Sequence, residues 1–309
     1  MDVSRAKILA GLLIGICAVS TAAILIKLCD APSIMIATYR LGLASLMLVP
    51  FALHQRGYQK IATRHWPSLI LSGAFLSFHF ATWIASLKYT SVASSVVIVS
   101  TNPVFCALIS HFLLKDRISK ALAWGIVLSV AGTLIICHDD LIFSRTALYG
   151  DLLALMGAMF GAGYFLLGNR IRKHSDLISY IFPVYGVCAL LLVFLSIVFH
   201  VPFTGYSART YVFLLLLAVV PQLIGHSCFN WALRYLSAPL VALVILGEPV
   251  LSTIFAWLIL GEKLTSGKAI GGLLIFGGIY LAVRYTMRRG LRSPLGTEQA
   301  GPAADQLVN

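Results

Sequence analysis

The sequence predicts an all-α integral membrane protein, ten transmembrane helices arranged as two inverted five-helix repeats. Three observations predict it. The 309-residue chain is 59% hydrophobic with only 11% charged residues, against about 25% charge in soluble domains. Its apolar residues gather into ten runs of spanning length, separated by short gaps. The sequence also falls on itself, without a gap, at an offset of 146 residues.

The runs lie near residues 7–29, 33–53, 67–87, 91–114, 120–137, 149–169, 177–199, 210–232, 238–260 and 268–286. Arg5 and Lys7 before the first run imitate the charged start of a signal peptide, but the run exceeds the usual 7–15 residues and recurs as the sixth, so it reads as a core helix. The second carries Arg40 about eight residues in, placed either to snorkel to an interface, to bind a substrate carboxylate or to pair with an acid. The third sets Phe75, His79, Trp83 and Ser86 on one face. The fourth has a Ser-rich first half, with Ser91 and Ser95, and then Asn102-Pro103 at mid-depth. The fifth and tenth carry Gly125, Gly132, Gly271 and Gly278. Gly11-x-x-x-Gly15 in the first and Gly157-x-x-x-Gly161 in the sixth predict close helix packing. The sixth also holds Tyr164. The eighth places Gln222, His226 and Asn230 at i, i+4 and i+8, one face of an α-helix. The ninth reads "VILGEPVLSTIFAWLIL" and holds Glu248-Pro249 at its centre. Pro103 and Pro249 predict helix kinks that free backbone carbonyls. Residues 293–309 are polar and read as a disordered tail.

With the N-terminus in the cytoplasm, sixteen Lys and Arg residues fall on the cytoplasmic side and six on the other, with Arg40 inside a span. That bias predicts both termini in the cytoplasm of a cell whose plasma (inner) membrane holds the chain. The net charge of +12 is this topology signal rather than a phosphate-binding face, so nucleic acid is excluded as a partner. The six cysteines lie in or beside apolar runs with no C-x-x-C, which gives neither a disulfide framework nor a metal site.

The repeat divides the chain into residues 1–146 and 147–292. Lys27 and Asp30 meet Lys173 and Asp176, Tyr39 meets Tyr185, "LKYTS" meets "LRYLS", and Pro103-Val104 meets Pro249-Val250. Five spans per copy is an odd number, so the second copy enters the membrane upside down, the architecture of many secondary transporters. The two blocks "LKYTSVASSVVIVSTNPVFCALISHFLLKDRISKALAWGIVLSVAGT" and "LRYLSAPLVALVILGEPVLSTIFAWLILGEKLTSGKAIGGLLIFGG" carry a resemblance to the ten-helix EamA-type branch of the drug/metabolite transporter superfamily, as does Arg40 after Pro32. The resemblance covers about residues 6–287. It implies transport of a small metabolite such as an amino acid or related compound, often outward. Small multidrug transporters, half-length relatives, use a glutamate in their first helix, and no acid stands there in this chain.

Polar side chains within lipid are costly, about 3 kcal/mol for a carboxylate at the bilayer centre, and so mark candidate function. The expected cavity residues are Arg40, His79, Trp83, Asn102, Tyr164, Gln222, His226, Asn230 and Glu248. Glu248 stands where the first repeat has neutral Asn102, which makes it a candidate proton carrier; plain helix-to-helix hydrogen bonding is the other reading of these residues. No Walker motif, H-E-x-x-H or suitably placed G-x-S-x-G occurs, so no ATP engine or hydrolase chemistry is encoded and no cofactor is expected. The expectation is a secondary transporter, monomeric or homodimeric, and not an enzyme. A non-transporting membrane protein such as a lipid scramblase or receptor is the alternative.

Overall fold

The structure, a computed structural model, describes residues 4–54, 65–90, 92–138, 145–260 and 265–289. The expected tail, Ser91, and the topology cations Arg56, Lys60, Arg64, Lys263 and Arg292 lie outside them. The first segment comprises α1 (Arg5–Val19) and α2 (Ala22–Lys27); the second is α3 (Ser33–His54) and the third α4 (Trp66–Ser86). The fourth divides into α5 (Val92–Val99) and α6 (Asn102–Phe112), and the fifth is α7 (Lys120–Cys137). In the second half follow α8 (Arg145–Arg172) and α9 (Leu177–Val198). The eighth segment runs continuously through α10 (Ala208–Leu217), a π-helical stretch (Ala218–His226) and α11 (Ser227–Ala232). The ninth divides into α12 (Ala238–Ile245) and α13 (Glu248–Leu260), and the tenth is α14 (Ser266–Arg289). Among the described residues nine stretches are long and apolar enough to cross a bilayer, and Lys120–Ile136 is apolar but shorter. The chain is a multi-pass membrane protein.

Serine and aspartate set several helix starts. Ser4, Ser119, Asp176 and Ser207 each accept a hydrogen bond from the backbone N–H three residues on, satisfying a donor that a helix start leaves open. The two mid-membrane prolines break their helices outright rather than kink them. Proline lacks an N–H and its ring crowds the carbonyl four residues back. Four residues before Pro103 is Val99, where α5 ends, and four before Pro249 is Ile245, where α12 ends. Each proline then occupies the first turn of the next helix, where its missing donor costs nothing.

Two irregularities escaped the sequence reading. The first span is broken at Ser20 and Thr21, whose hydroxyls donate to the carbonyls of Ile16 (2.7 Å) and Ala18 (2.8 Å) and compete with the helix ladder. The eighth span is π-helical around Pro221, and i→i+5 bonding there shifts the α-helical facing assumed for Gln222, His226 and Asn230.

Polarity is reversed relative to a soluble protein. Leu53 is 82% exposed and Leu273 74%, whereas Arg40, Arg172, Gln222 and Asn230 are fully buried. Arg172, one of the sixteen basic residues counted on the cytoplasmic side, has its side chain folded inward, its Nε donating to the carbonyl of Asn230 at 2.9 Å. Its second bond goes to the carbonyl of Ser175.

Close packing comes from glycine. A Cβ on Gly125 would lie 2.7 Å from the Gly278 carbonyl oxygen, and one on Gly132 only 2.5 Å from that of Gly271. Residue numbers rise along α7 as they fall along α14, so the two helices cross antiparallel, backbone to backbone. Ser129 donates to the carbonyl of Ile275, its own counterpart 146 residues on, at 3.3 Å. Packed pairs map onto packed pairs under this shift: α4 on α8 answers to the eighth span on α1, α4 on α9 to the π-helical stretch on α3, and α3 on α9 and α7 on α14 to themselves.

Candidate functional site

One cavity of about 810 Å³ sits where the two sequence halves meet, within the range of small-molecule sites. Its floor and walls carry Arg40, His79, Trp83, Asn102, His226 and Glu248, and its mouth carries Lys27, Leu87, Ile136 and Lys268. These mouth residues end or begin their spans at one face of the bundle. At the opposite end α6 packs against α12. The equivalent pair, α5 and α13, is not packed in this way among the described residues, and the cavity opens between them.

The local sequence builds each wall. Gly161 leaves room for two polar side chains, since a Cβ there would meet Asn102 Nδ2 at 2.5 Å and His79 Nδ1 at 2.9 Å. His79 Nδ1 lies 2.8 Å from the Gly157 carbonyl and its ring stacks on Trp83, with centroids 6.0 Å apart. Asn102 Nδ2 donates to the Ala158 carbonyl at 2.9 Å. The expected face of α4 is therefore shared among the cavity, α8 and α5. Phase by phase, Phe75 packs on Phe160 and opposite Gly163, and Ser86 bonds Ser95 at 2.6 Å.

Arg40 does not snorkel. It is 2% exposed; its Nε donates to Gln222 Oε1 at 2.8 Å and its guanidinium sits 4.7 Å over the Phe80 ring, a favourable placement for a buried cation. Among the described residues no carboxylate comes within ion-pairing distance of it, Glu248 included. Glu248 reaches the same cavity, and its carboxyl makes no hydrogen bond among the described residues.

Three expected cavity residues stand behind the wall. Tyr164 donates to Asn230 Oδ1 (2.8 Å) and Asn230 Nδ2 to the Tyr185 hydroxyl (3.2 Å), while Gln222 supports Arg40. The π-helical stretch explains the divergence: His226 turns to the cavity against Phe80, and its two α-spaced neighbours turn into the bundle. Tyr180, bonded to Ser72 at 2.8 Å, completes this buried layer and was missed. The recurrence of Tyr39 at Tyr185 was its nearest signal. Among the described residues, three buried atoms around the cavity, Trp83 Nε1, Gln222 Nε2 and His226 Nδ1, meet no hydrogen-bond partner. The arrangement offers a buried cation, spare polar groups and aromatic faces to a small solute, with an acid at mid-membrane.

A multi-pass helical bundle with a one-sided cavity, apolar but set with a few polar side chains, between two sequence-related halves defines the transporter class of membrane protein. The chain belongs to the EamA-like transporter family, whose sequence profile matches residues 5–137 and 148–284. It is 30% identical over 254 residues to an "Uncharacterized transporter" of Archaeoglobus fulgidus, covering 80% of this chain and 86% of that protein. It is 24% identical over 290 residues to the "Probable amino-acid metabolite efflux pump" of Escherichia coli K12, covering 89% and 94%. A solved crystal structure of a protein 19% identical in sequence shares the fold at a TM-score of 0.77, over 92% of this chain and 100% of that one. The chain is a membrane transporter and not an enzyme.

Proposed function

We propose that this transporter exports a small metabolite, an amino acid or related compound, by alternating access between inverted repeats spanning residues 1–146 and 147–292. The observation that carries the reading is the one-sided cavity: equivalent helix pairs are closed at one end (α6 on α12) and parted at the other (α5 and α13). Exchange of those two arrangements would carry a solute across without opening a channel. The antiparallel crossing of α7 and α14, in which the 146-residue shift exchanges the Gly125–Gly278 contact with the Gly132–Gly271 contact, supports inversion. Arg40 suits a carboxylate, and the name of the Escherichia coli relative supports the amino-acid class. The basic bias supports cytoplasmic termini in the plasma membrane. The cavity lies within one chain, so a monomer suffices, and a homodimer remains compatible with it.

The test is counterflow of labelled amino acids into proteoliposomes of the purified protein. Saturable exchange that falls at least tenfold in Trp83→Ala, with the protein still folded, is expected. Exchange of no amino acid or amino-acid derivative, together with lipid movement between leaflets, would replace this reading by a scramblase.

A further inference from the structure

The two repeats treat one position differently. In the first, Asn102 donates its Nδ2 hydrogen to the Ala158 carbonyl at 2.9 Å, beside the gap left by Gly161. Moved by 146 residues, this trio becomes Glu248, Leu12 and Gly15. That second trio is not assembled. A Cβ on Gly247 would lie 3.3 Å from Ile16, the Ser20 hydroxyl reaches the Glu248 carbonyl at 3.4 Å, and Ser252 donates to the Ser20 carbonyl at 3.0 Å. Glu248 is thus level with Ile16 and Ser20, about one helical turn (~5 Å) past Leu12 and Gly15.

The neighbouring helix is displaced alike. Gly157 faces Trp83 and Gly161 faces His79, so the shift calls for Gly11 against Phe229 and Gly15 against Gly225. Instead Gly11 faces Trp231, Gly15 faces Phe229, and Gly225 faces Ala18 and Val19. The eighth and ninth spans sit together about one turn further along the first span than the third and fourth sit along the sixth, and both are moved toward the mouth.

We propose that closing the mouth returns the eighth and ninth spans by that turn, and that Glu248 then donates to the Leu12 carbonyl as a protonated acid. The assignment rests on the alternating-access reading above. The chemistry follows from the donor. Asn102 always carries an N–H, whereas a carboxylate has only acceptors and would face the carbonyl lone pairs with none to give. One proton, taken from water, completes the bond; no other group changes. The charged and titratable groups that share the open cavity with Glu248 are Arg40 from α3, Lys27 from α2, Lys268 from α14, and the His79 and His226 rings from the third and eighth spans. Ser20, just past the end of α1, donates its hydroxyl to the backbone carbonyl of Glu248 rather than to the carboxyl. Because the closed-state bond needs the proton and the open cavity does not, the mouth-closed state binds one more proton wherever the open state has released it, and lower pH favours closure.

Two counterpart positions report the exchange. Thr253 lines the open cavity, and Ala107, 146 residues earlier, packs against the core. In a background with the six native cysteines replaced, Thr253→Cys and Ala107→Cys are each labelled with N-ethylmaleimide in detergent. The ratio of their rates cancels the thiol's own pH dependence. With Glu248 present, the ratio of Thr253 to Ala107 labelling should fall about fivefold between pH 8.5 and 5.5, the shift that one net hydrogen bond supports. Glu248→Asn, which supplies the donor at every pH, should hold the low ratio throughout, and Glu248→Ala the high one. A ratio that ignores pH in the parent protein, which needs no Glu248 variant to fold, overturns the assignment, as do Asn and Ala variants that behave alike. If in either case the two rates still move oppositely when an amino-acid mixture is added, alternating access stands and only the role of Glu248 falls. If they never move oppositely, the transport reading falls with it.

Discussion

Replacing Gly271 by alanine tests whether the α7–α14 crossing holds the two halves together. The added Cβ would lie 2.5 Å from the Gly132 carbonyl oxygen, 2.7 Å from Ile136 Cγ1 and 3.1 Å from the Ile136 nitrogen. Two of these three atoms are backbone and cannot turn aside. Ordinary contact begins near 3.4 Å, so the helices must part by about 0.9 Å at this point, enough to forfeit a quarter to a half of the dispersion energy of the atoms around it. The expected cost is about 1–3 kcal/mol. Gly277, six residues along the same helix, has nothing within 4 Å of its would-be Cβ. Gly277→Ala should therefore be neutral or stabilise by up to about 1 kcal/mol through backbone entropy. Melting of the detergent-purified variants, followed by size-exclusion fluorescence, should show Gly271→Ala several degrees below the parent and Gly277→Ala at or above it. The double variant Gly132→Ala/Gly271→Ala should cost less than its two parts together, because one opening admits both methyl groups. Equal melting of the Gly271 and Gly277 variants would refute the argument that backbone contact fixes this pair.

Three further outcomes are expected. Arg40→Leu should lower stability by about 1–3 kcal/mol, measured by thermal melting, because it leaves the Gln222 amide buried without its partner; in proteoliposomes it should also abolish exchange of carboxylate substrates. Glu248→Gln should fold and insert, with transport greatly reduced and the residual rate flat across a pH series; unchanged transport at every pH would return the acid to a structural role. Reporter fusions after residue 292 and within 138–148 should show the former in the cytoplasm and the latter outside it, and the reverse result would sink the orientation drawn from the basic residues.

How much of this was legible in the sequence varied with the physics involved. Span number followed from hydropathy, because lipid tolerates few exceptions. The breaks at Pro103 and Pro249 were visible because proline acts locally, although as kinks rather than full breaks. The break at Ser20 was not, since serine in a helix only offers an alternative hydrogen bond, and the Ser252 hydroxyl that bonds the Ser20 carbonyl lies far away in sequence. The facing of Gln222 and Asn230 failed for a similar reason: a spacing of four predicts one face only in an α-helix, and Pro221 gave too weak a warning of the π-helical stretch. Arg172 was counted on the cytoplasmic side without its facing, because proximity to a span end cannot say whether a long side chain turns outward or back. The polar residues of the cavity were found by their cost in lipid, but cost alone does not separate those that face water from those, like Tyr164, that satisfy a neighbour.

The interrupted first span, set against the unbroken 28 residues of α8, has a consequence for the energetics of the resting protein. If the protein alternates, as proposed, between two one-sided arrangements of inverted repeats, two halves with identical sequences would leave those arrangements degenerate: each would be the other turned over, and neither would be preferred at zero gradient. Degeneracy is lifted only at positions where counterparts differ, and Ser20 opposite Leu166, Pro221 opposite Phe75 and Glu248 opposite Asn102 are such positions. Restoring symmetry at one pair at a time, as in Ser20→Leu, thus measures directly how much each difference contributes to the direction in which the empty protein waits.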